Sequence, residues 1–298
     1  MRIASLVPSS TEMIFALGLG DQVVAVTHEC DYPPEAANMP HLSDTMIPEG
    51  LTPAGIDAEV KRLVGKGEPL YRLKADVLEA AMPDLIIAQD VCAVCAVSYD
   101  DVVSIANRMP DPPRVLKQDP LDLTDVINNA GEVAAAAGVP EAGEQLKQEM
   151  TSRMEAVADA VAGEERKTVL ALEWLDPPFT GGHWVPEMIR VAGGVDLIGN
   201  AGEKSAETTW DQLEGIAPDV VVVMPCGFYV EQAESQARDF IDRIRSTNPG
   251  RVFAVDAAAS FSRPGPRLAD GIELLGHLLH PDRVPAPEGL QSVPVSLD

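Results

Sequence analysis

The sequence predicts an α/β fold of two similar parallel-sheet lobes joined by one long helix, with a ligand cleft between the lobes. Three observations point there. Short β-branched runs alternate with helical stretches, which calls for parallel strands linked by crossover helices. A set of motifs recurs in the second half of the chain in the same order and at the same spacing. A single apolar stripe at helical period separates the halves.

Strand-like runs occupy residues 3–7, 23–27, 85–88 and 115–116, and then 169–172, 220–224 and 252–255. Glu12-Met13-Ile14 precedes Gly18 at the spacing that separates Glu187-Met188-Ile189 from Gly193. Asp76-Val77-Leu78-Glu79 leads to Pro83-Asp84 and a strand, as Asp211-Gln212-Leu213-Glu214 leads to Pro218-Asp219 and another. Arg114-Val115-Leu116 and Arg251-Val252-Phe253 open the last strand of each half. Between the halves, Ala142, Leu146, Met150, Met154, Val157 and Val161 form one stripe on a helix running from about Pro140 to Ala162. The domains are therefore expected at residues 1–120 (N-terminal lobe), 121–165 (helical linker) and 166–298 (C-terminal lobe with an extended surface tail). A linker that stiff predicts small lobe rotations rather than wide closure.

Of the 298 residues, 22 are Lys or Arg and 47 are Asp or Glu, giving a net charge of -25. That charge opposes binding to nucleic acid or to anionic lipid surfaces. No apolar run reaches the length of a membrane span, so no membrane insertion is expected. The first residues enter a strand at once and lack the pattern of a secretory signal. The expectation is a cytoplasmic monomer, or an extracytoplasmic one if an export signal was removed.

Ligands of parallel α/β sheets bind beyond the carboxyl ends of the strands. The loops expected there hold all four cysteines, Cys30, Cys92, Cys95 and Cys226, together with His28 and His183. His41, His277 and His280 read as surface or helix-end residues. Cys92-Ala93-Val94-Cys95 has the spacing that lets two thiolates reach one tetrahedral metal. His28, Cys30, Cys92, Cys95 and Cys226 are therefore candidate metal donors, with a redox thiol pair or plain packing as the alternatives. The chain has three Trp, four Tyr and six Phe, and eight of these fall in the same loops: Tyr32, Tyr99, Trp174, Phe179, Trp184, Phe228, Tyr229 and Phe261. Ring faces gathered in this way suit a large planar ligand. Tyr32, Trp174, Phe179, Trp184, Phe228 and Phe261 are the expected ligand-facing rings, with His28, His183 or a thiolate reaching a bound metal. No nucleophile elbow, Walker loop, zincin or dinucleotide motif occurs, and no catalytic residue is nominated.

These loops also carry a resemblance. Leu6-Val7-Pro8-Ser9-Ser10-Thr11-Glu12, Cys30-Asp31-Tyr32-Pro33-Pro34-Glu35-Ala36, Pro83-Asp84-Leu85-Ile86-Ile87, Asp176-Pro177-Pro178-Phe179-Thr180-Gly181-Gly182, Ala192-Gly193-Gly194 and Ala217-Pro218-Asp219 resemble the vitamin B12 and iron-chelate substrate-binding proteins of ABC importers. The resemblance implies the helical-backbone type of receptor, with the chelate held by loops containing Tyr32, Phe179 and Trp184. It also implies an ABC permease partner, docked through Asp76 and Asp211 at the positions where importer members carry an acidic residue. The sequence departs from the vitamin B12 importers at the cysteine-bearing loops. Two functions follow as expectations: a binding protein for cobalamin or a related metal chelate, or a cytoplasmic enzyme or metal protein holding zinc or an iron-sulfur cluster in a cysteine-lined cleft.

Overall fold

The β-branched and leucine-rich runs are strands whose side chains are buried on both faces: Leu85, Ile86, Ile87 and all of Val220–Val223 are inaccessible to solvent. Such runs fit a parallel sheet covered by helices. The computed structural model describes residues 1–89 and 97–298 of the chain. It divides into two compact units, one of Met1–Pro120 with Thr124–Gln148, the other of Leu121–Leu123 with Glu149–Asp298.

The first unit runs β1 (Ile3–Ser5), α1 (Pro8–Ala16), β2 (Val23–Ala25), β3 (Ser43–Thr45), α2 (Pro53–Lys66), β4 (Tyr71–Leu73), α3 (Ala75–Ala81), β5 (Leu85–Gln89), α4 (Tyr99–Ala106), β6 (Arg114–Gln118), α5 (Leu123–Ala136) and the start of α6 (Pro140–Ala160). Its main sheet has the order β2-β1-β5-β6, all parallel, and β3 pairs with β4 as a separate antiparallel ribbon. The second unit runs β7 (Lys167–Leu175), β8 (Pro178–Thr180), α7 (Val185–Val191), β9 (Gly194–Asp196), α8 (Trp210–Leu213), β10 (Val220–Val223), α9 (Val230–Asp239), α10 (Ile241–Ser246), β11 (Arg251–Val255), α11 (Ala257–Ser260), α12 (Leu268–Leu279) and β12 (Ser292–Pro294). Its parallel strands β9-β7-β10-β11 repeat the order of the first sheet, and β8 and β12 add antiparallel edges.

The repeated Pro-Asp pairs do the same job in both units. Asp84 Oδ2 accepts the Arg2 N–H at 2.7 Å, while the Asp84 carbonyl accepts the Arg114 N–H at 3.0 Å. Asp219 Oδ2 accepts the Thr168 N–H at 2.8 Å, and its carbonyl accepts the Arg251 N–H at 3.0 Å. Each aspartate thus ties the entry points of three neighbouring strands and sets their register.

Helix α6 has 21 residues, a length of about 32 Å at ~1.5 Å per residue. Its stripe of Leu146, Met150, Met154 and Val157, continued by Val161 just past its end, is buried. Its N-terminal part lies so close to α5 that a Cβ on Gly143 would come within 2.5 Å of the Ala134 Cβ. Farther along, Arg153 bridges to Asp270 and Glu273 of α12 at 2.5 and 2.7 Å.

One expectation is corrected. The tail is not plain surface chain: Ser292–Pro294 adds a strand to β11, Val295 is buried, and Arg245 holds the Leu297 carbonyl at 2.8 Å. Val293 and Val295 give the tail enough apolar surface to cover the sheet edge. Of the two readings of His280, surface or helix end, the second holds: it caps α12 and is buried, with its Nε2 against the Gly193 carbonyl at 3.1 Å.

Helix crossing and helix propensity should separate cleanly in urea melts. Gly143→Ala, forced against Ala134, is expected to lower stability by about 1–3 kcal/mol. Gly65→Ala, in α2 with open space around the new methyl, is expected to raise it by about 0.5–1 kcal/mol.

Candidate functional site

In the second unit three loops leave the carboxyl ends of β7, β10 and β11 and are tied together by backbone bonds. The Cys226 N–H donates to the Glu173 carbonyl at 2.9 Å, and the Ala258 N–H to the Phe228 carbonyl at 2.9 Å. The Gly227 N–H donates to Ser262 Oγ at 3.2 Å. This brings Trp174, at the end of β7, edge to face with Phe228, with ring centroids 5.2 Å apart. Both rings are half-buried, as is Phe179 in β8, while Cys226 and Tyr229 are exposed. The Trp174 indole is oriented by donating its Nε1–H to the Asp176 carbonyl at 3.2 Å.

Beside them, β8 and the chain after it are zipped to residues 202–207. Thr180 N–H donates to the Ala206 carbonyl at 2.9 Å, Gly202 N–H donates to the His183 carbonyl at 2.9 Å, and His183 N–H donates to the Glu203 carbonyl. His183 sits in the left-handed region at φ 51°, which only a well-determined surrounding sustains. Burial, helped by Lys204, lowers the imidazole below its ordinary pKa. Its Nε2 is buried and has no hydrogen-bond partner among the described residues. A neutral imidazole with an unused lone pair is the form that binds a metal centre.

Trp184 and Phe261 do not join these rings. Trp184 is 7 % exposed, with its Nε1–H given to the Phe261 carbonyl at 2.7 Å, and Phe261 is 2 % exposed. Their rings fill the unit's interior at the start of α7 and the end of α11, so the expectation that they face a ligand is corrected.

In the first unit, Tyr32 is 46 % exposed at the end of the β2 loop and precedes a cis proline. His28 Nδ1 lies 2.8 Å from Ser43 Oγ, and its ring packs on Tyr71 at 5.6 Å. Burial lowers the His28 pKa, against the pull of Glu29 and Asp44. Cys30 is buried, its Sγ 3.1 Å from Thr11 Oγ1 and 3.4 Å from Thr27 Oγ1. Cys92 and Cys95 lie outside the described residues. Among the described residues no three His, Cys, Asp or Glu side chains assemble as metal donors. The expected set of His28, Cys30, Cys92, Cys95 and Cys226 therefore reaches partly outside the described residues; within them Cys30 is buried beside two threonine hydroxyls and Cys226 is exposed.

Asp76 and Asp211 both sit exposed in the first turn of a short helix, α3 and α8. Thr209 caps α8 by accepting the Gln212 N–H, so Asp211 is not consumed as the cap.

Sequence reasoning missed Glu173. Its carboxyl group is buried, with Oε1 accepting the Gly182 N–H at 2.9 Å and Oε2 accepting the Ser205 hydroxyl. Burial, with a smaller push from Asp196, raises its pKa to about 7 against the relief from those hydrogen bonds. The signal was present: a glutamate inside the run Val169-Leu170-Ala171-Leu172-Glu173-Trp174-Leu175 is a charge in a buried strand. Asp196, at the end of β9, is also raised by burial; its Oδ1 takes the N–H groups of Ile198 and Gly199 at 3.0 and 2.8 Å.

This arrangement of two α/β units with loops at the carboxyl edge of each sheet is that of a ligand receptor. The family model of the periplasmic binding proteins matches residues 3–252, and the chain belongs to that family. An uncharacterized ABC transporter substrate-binding lipoprotein of Bacillus subtilis is 25 % identical over 94 % of this chain and 80 % of its own length. The vitamin B12-binding protein of Yersinia pestis is 24 % identical over 74 % of this chain and 69 % of its own. A periplasmic heme-binding protein from Pseudomonas aeruginosa superposes with a TM-score of 0.73 at 18 % identity, covering 99 % of this chain and 98 % of that one. These proteins are lipoprotein or periplasmic, which overturns the cytoplasmic expectation. The opening of the chain in β1 describes a strand and says nothing about compartment. Zinc and iron-sulfur chemistry find no support in these comparisons.

Glu173 carries a stability signature. Its folded pKa of about 7 exceeds the 4.5 of an unperturbed glutamate, so its contribution is full below the lower value and is lost as pH rises to the upper one. The loss should be no more than about 3 kcal/mol, seen as a falling denaturation midpoint that Glu173→Gln flattens. Trp184→Ala, by contrast, is expected to cost about 3–5 kcal/mol of stability, read in the same melts.

Proposed function

We propose that this protein is the extracytoplasmic receptor of an ABC importer for a planar metal chelate of the corrinoid or porphyrin class. The observations that carry the reading are the half-buried Trp174–Phe228 pair and, on the same unit, His183, whose Nε2 has no hydrogen-bond partner among the described residues. Aromatic faces supply apolar area to a macrocycle, and the neutral imidazole supplies an axial ligand to its metal. Phe179 lies on the same unit. The family membership and the vitamin B12 and heme ligands in the names of similar proteins support the ligand class.

Titration with hemin, cobinamide and cobalamin tests it. At least one is expected to give a shifted visible spectrum and measurable heat. Silence from all three at about 100 μM, a ceiling of about 5 kcal/mol, sinks the reading. Trp174→Ala is expected to weaken binding by about two powers of ten, since a ring burying ~150 Å² contributes about 3–4 kcal/mol. His183→Ala is expected to change the spectrum of the bound metal.

Asp76 and Asp211 are proposed as the docking pair for arginines of the permease. Asp76→Lys with Asp211→Lys should abolish association with the permease in detergent or nanodiscs while leaving chelate affinity unchanged. Retained association removes them from the interface.

A further inference from the structure

The His183 loop combines three features that need a common cause. Its backbone is strained at φ 51°, its imidazole Nε2 is buried without a partner, and Gly182 touches Ser205 so closely that a Cβ would lie 2.2 Å from the Ser205 nitrogen. Strain of this kind persists only where surrounding contacts over-determine the conformation. The group that touches both sides of the loop is the Glu173 carboxylate: one oxygen takes the Gly182 N–H and the other the Ser205 hydroxyl. Glu173 is itself anchored, because its neighbour Leu172 is in register with Val223 of β10 and its own carbonyl takes the Cys226 N–H.

We propose that Glu173 is a positioning residue: its carboxyl group clasps Gly182 to Ser205 and thereby fixes the pose of the His183 imidazole, whose Nε2, enclosed in this structure, is the atom a chelated metal would take. The link to a metal rests on the receptor reading above; the clasp does not. The backbone carbonyl of the same residue takes the Cys226 N–H, so Glu173 also ties the His183 loop to the loop carrying Phe228. Ring and axial ligand are then placed by one residue on a rigid strand, which is where precise sites are built. Glutamine reproduces the clasp, with its carbonyl accepting from Gly182 and its amide donating to Ser205. Alanine removes it.

The test uses the whole chain in two states. Without any chelate, hydrogen exchange at the Gly182, His183 and Ala206 amides is expected to speed up at least tenfold in Glu173→Ala and to stay within about threefold of the wild type in Glu173→Gln. With hemin, the wild type and Glu173→Gln should show the same nitrogen-ligand spectrum, and Glu173→Ala should show the spectrum of His183→Ala. Ser205→Ala, which removes one partner and leaves the buried strand untouched, should speed exchange at Ala206 while Gly182 stays protected; it serves if Glu173→Ala does not fold. Wild-type exchange rates in Glu173→Ala, or Glu173→Gln exchanging as fast as Glu173→Ala, overturn the clasp. Expected exchange rates together with a Glu173→Ala hemin spectrum like the wild type overturn the positioning of His183. Expected exchange rates with no hemin bound by the wild type overturn the receptor reading and leave the clasp standing.

Discussion

Parallel pairing of four strands in each unit is the constraint on which everything else rests. A parallel ladder sends every connection back across the sheet and leaves its working loops at one edge, the carboxyl edge. The register that aligns those loops is set at the opposite edge by Asp84 and Asp219, each holding the amide of a neighbouring chain and offering its carbonyl to the next. Hydrogen bonds from Thr168 hold the Asp219 carboxyl below the usual carboxylate range, so it stays charged and keeps accepting as the pH falls. A slip of one residue in β10 would turn Val221 and Val223 from one face to the other and move the Phe228 loop away from Trp174.

Against that rigid frame the second unit spends stability at one place. A carboxyl taken out of water costs free energy unless its oxygens are hydrogen-bonded, and Glu173 is paid back by only two donors with Asp196 near enough to disfavour its charge. His183 adds a left-handed backbone and a buried ring nitrogen without a partner. Costs concentrated in one loop, while the surrounding core of Leu170, Leu172, Val221, Val223 and Ala254 is buried and apolar, are the pattern of a site rather than of a packing fault.

The aromatic residues show how far pattern reading reaches. Trp174 and Trp184 lie ten residues apart in one stretch of chain and look equivalent in sequence. Trp174 ends β7 at the sheet edge, beside Phe228. Trp184 stands at the start of α7, where the helix turns its ring inward to meet the Phe261 carbonyl. Tertiary packing alone separates a half-buried ring at the sheet edge from one used by the core. The cysteines make the same point: Cys30 and Cys226 are both loop residues beyond strand ends, yet one is enclosed by threonine hydroxyls and the other is exposed.

The sequence by itself determined the two α/β halves, their duplicated Pro-Asp and Arg-Val motifs, the long helix after Pro140 and the sheet edge at which the loops after the strands gather. Those follow from periodicity and local hydrogen-bonding chemistry, which neighbouring residues specify between themselves. Only the tertiary structure decided that the Glu173 carboxyl is buried between Gly182 and Ser205, that the His183 Nε2 is buried without a hydrogen-bond partner among the described residues, that Trp184 and Phe261 belong to the core, and that the tail closes the sheet as β12. Each of these depends on groups 9 to 77 residues apart in the chain. Burial and the pairing of polar groups are properties of such distant contacts, and no local pattern encodes them.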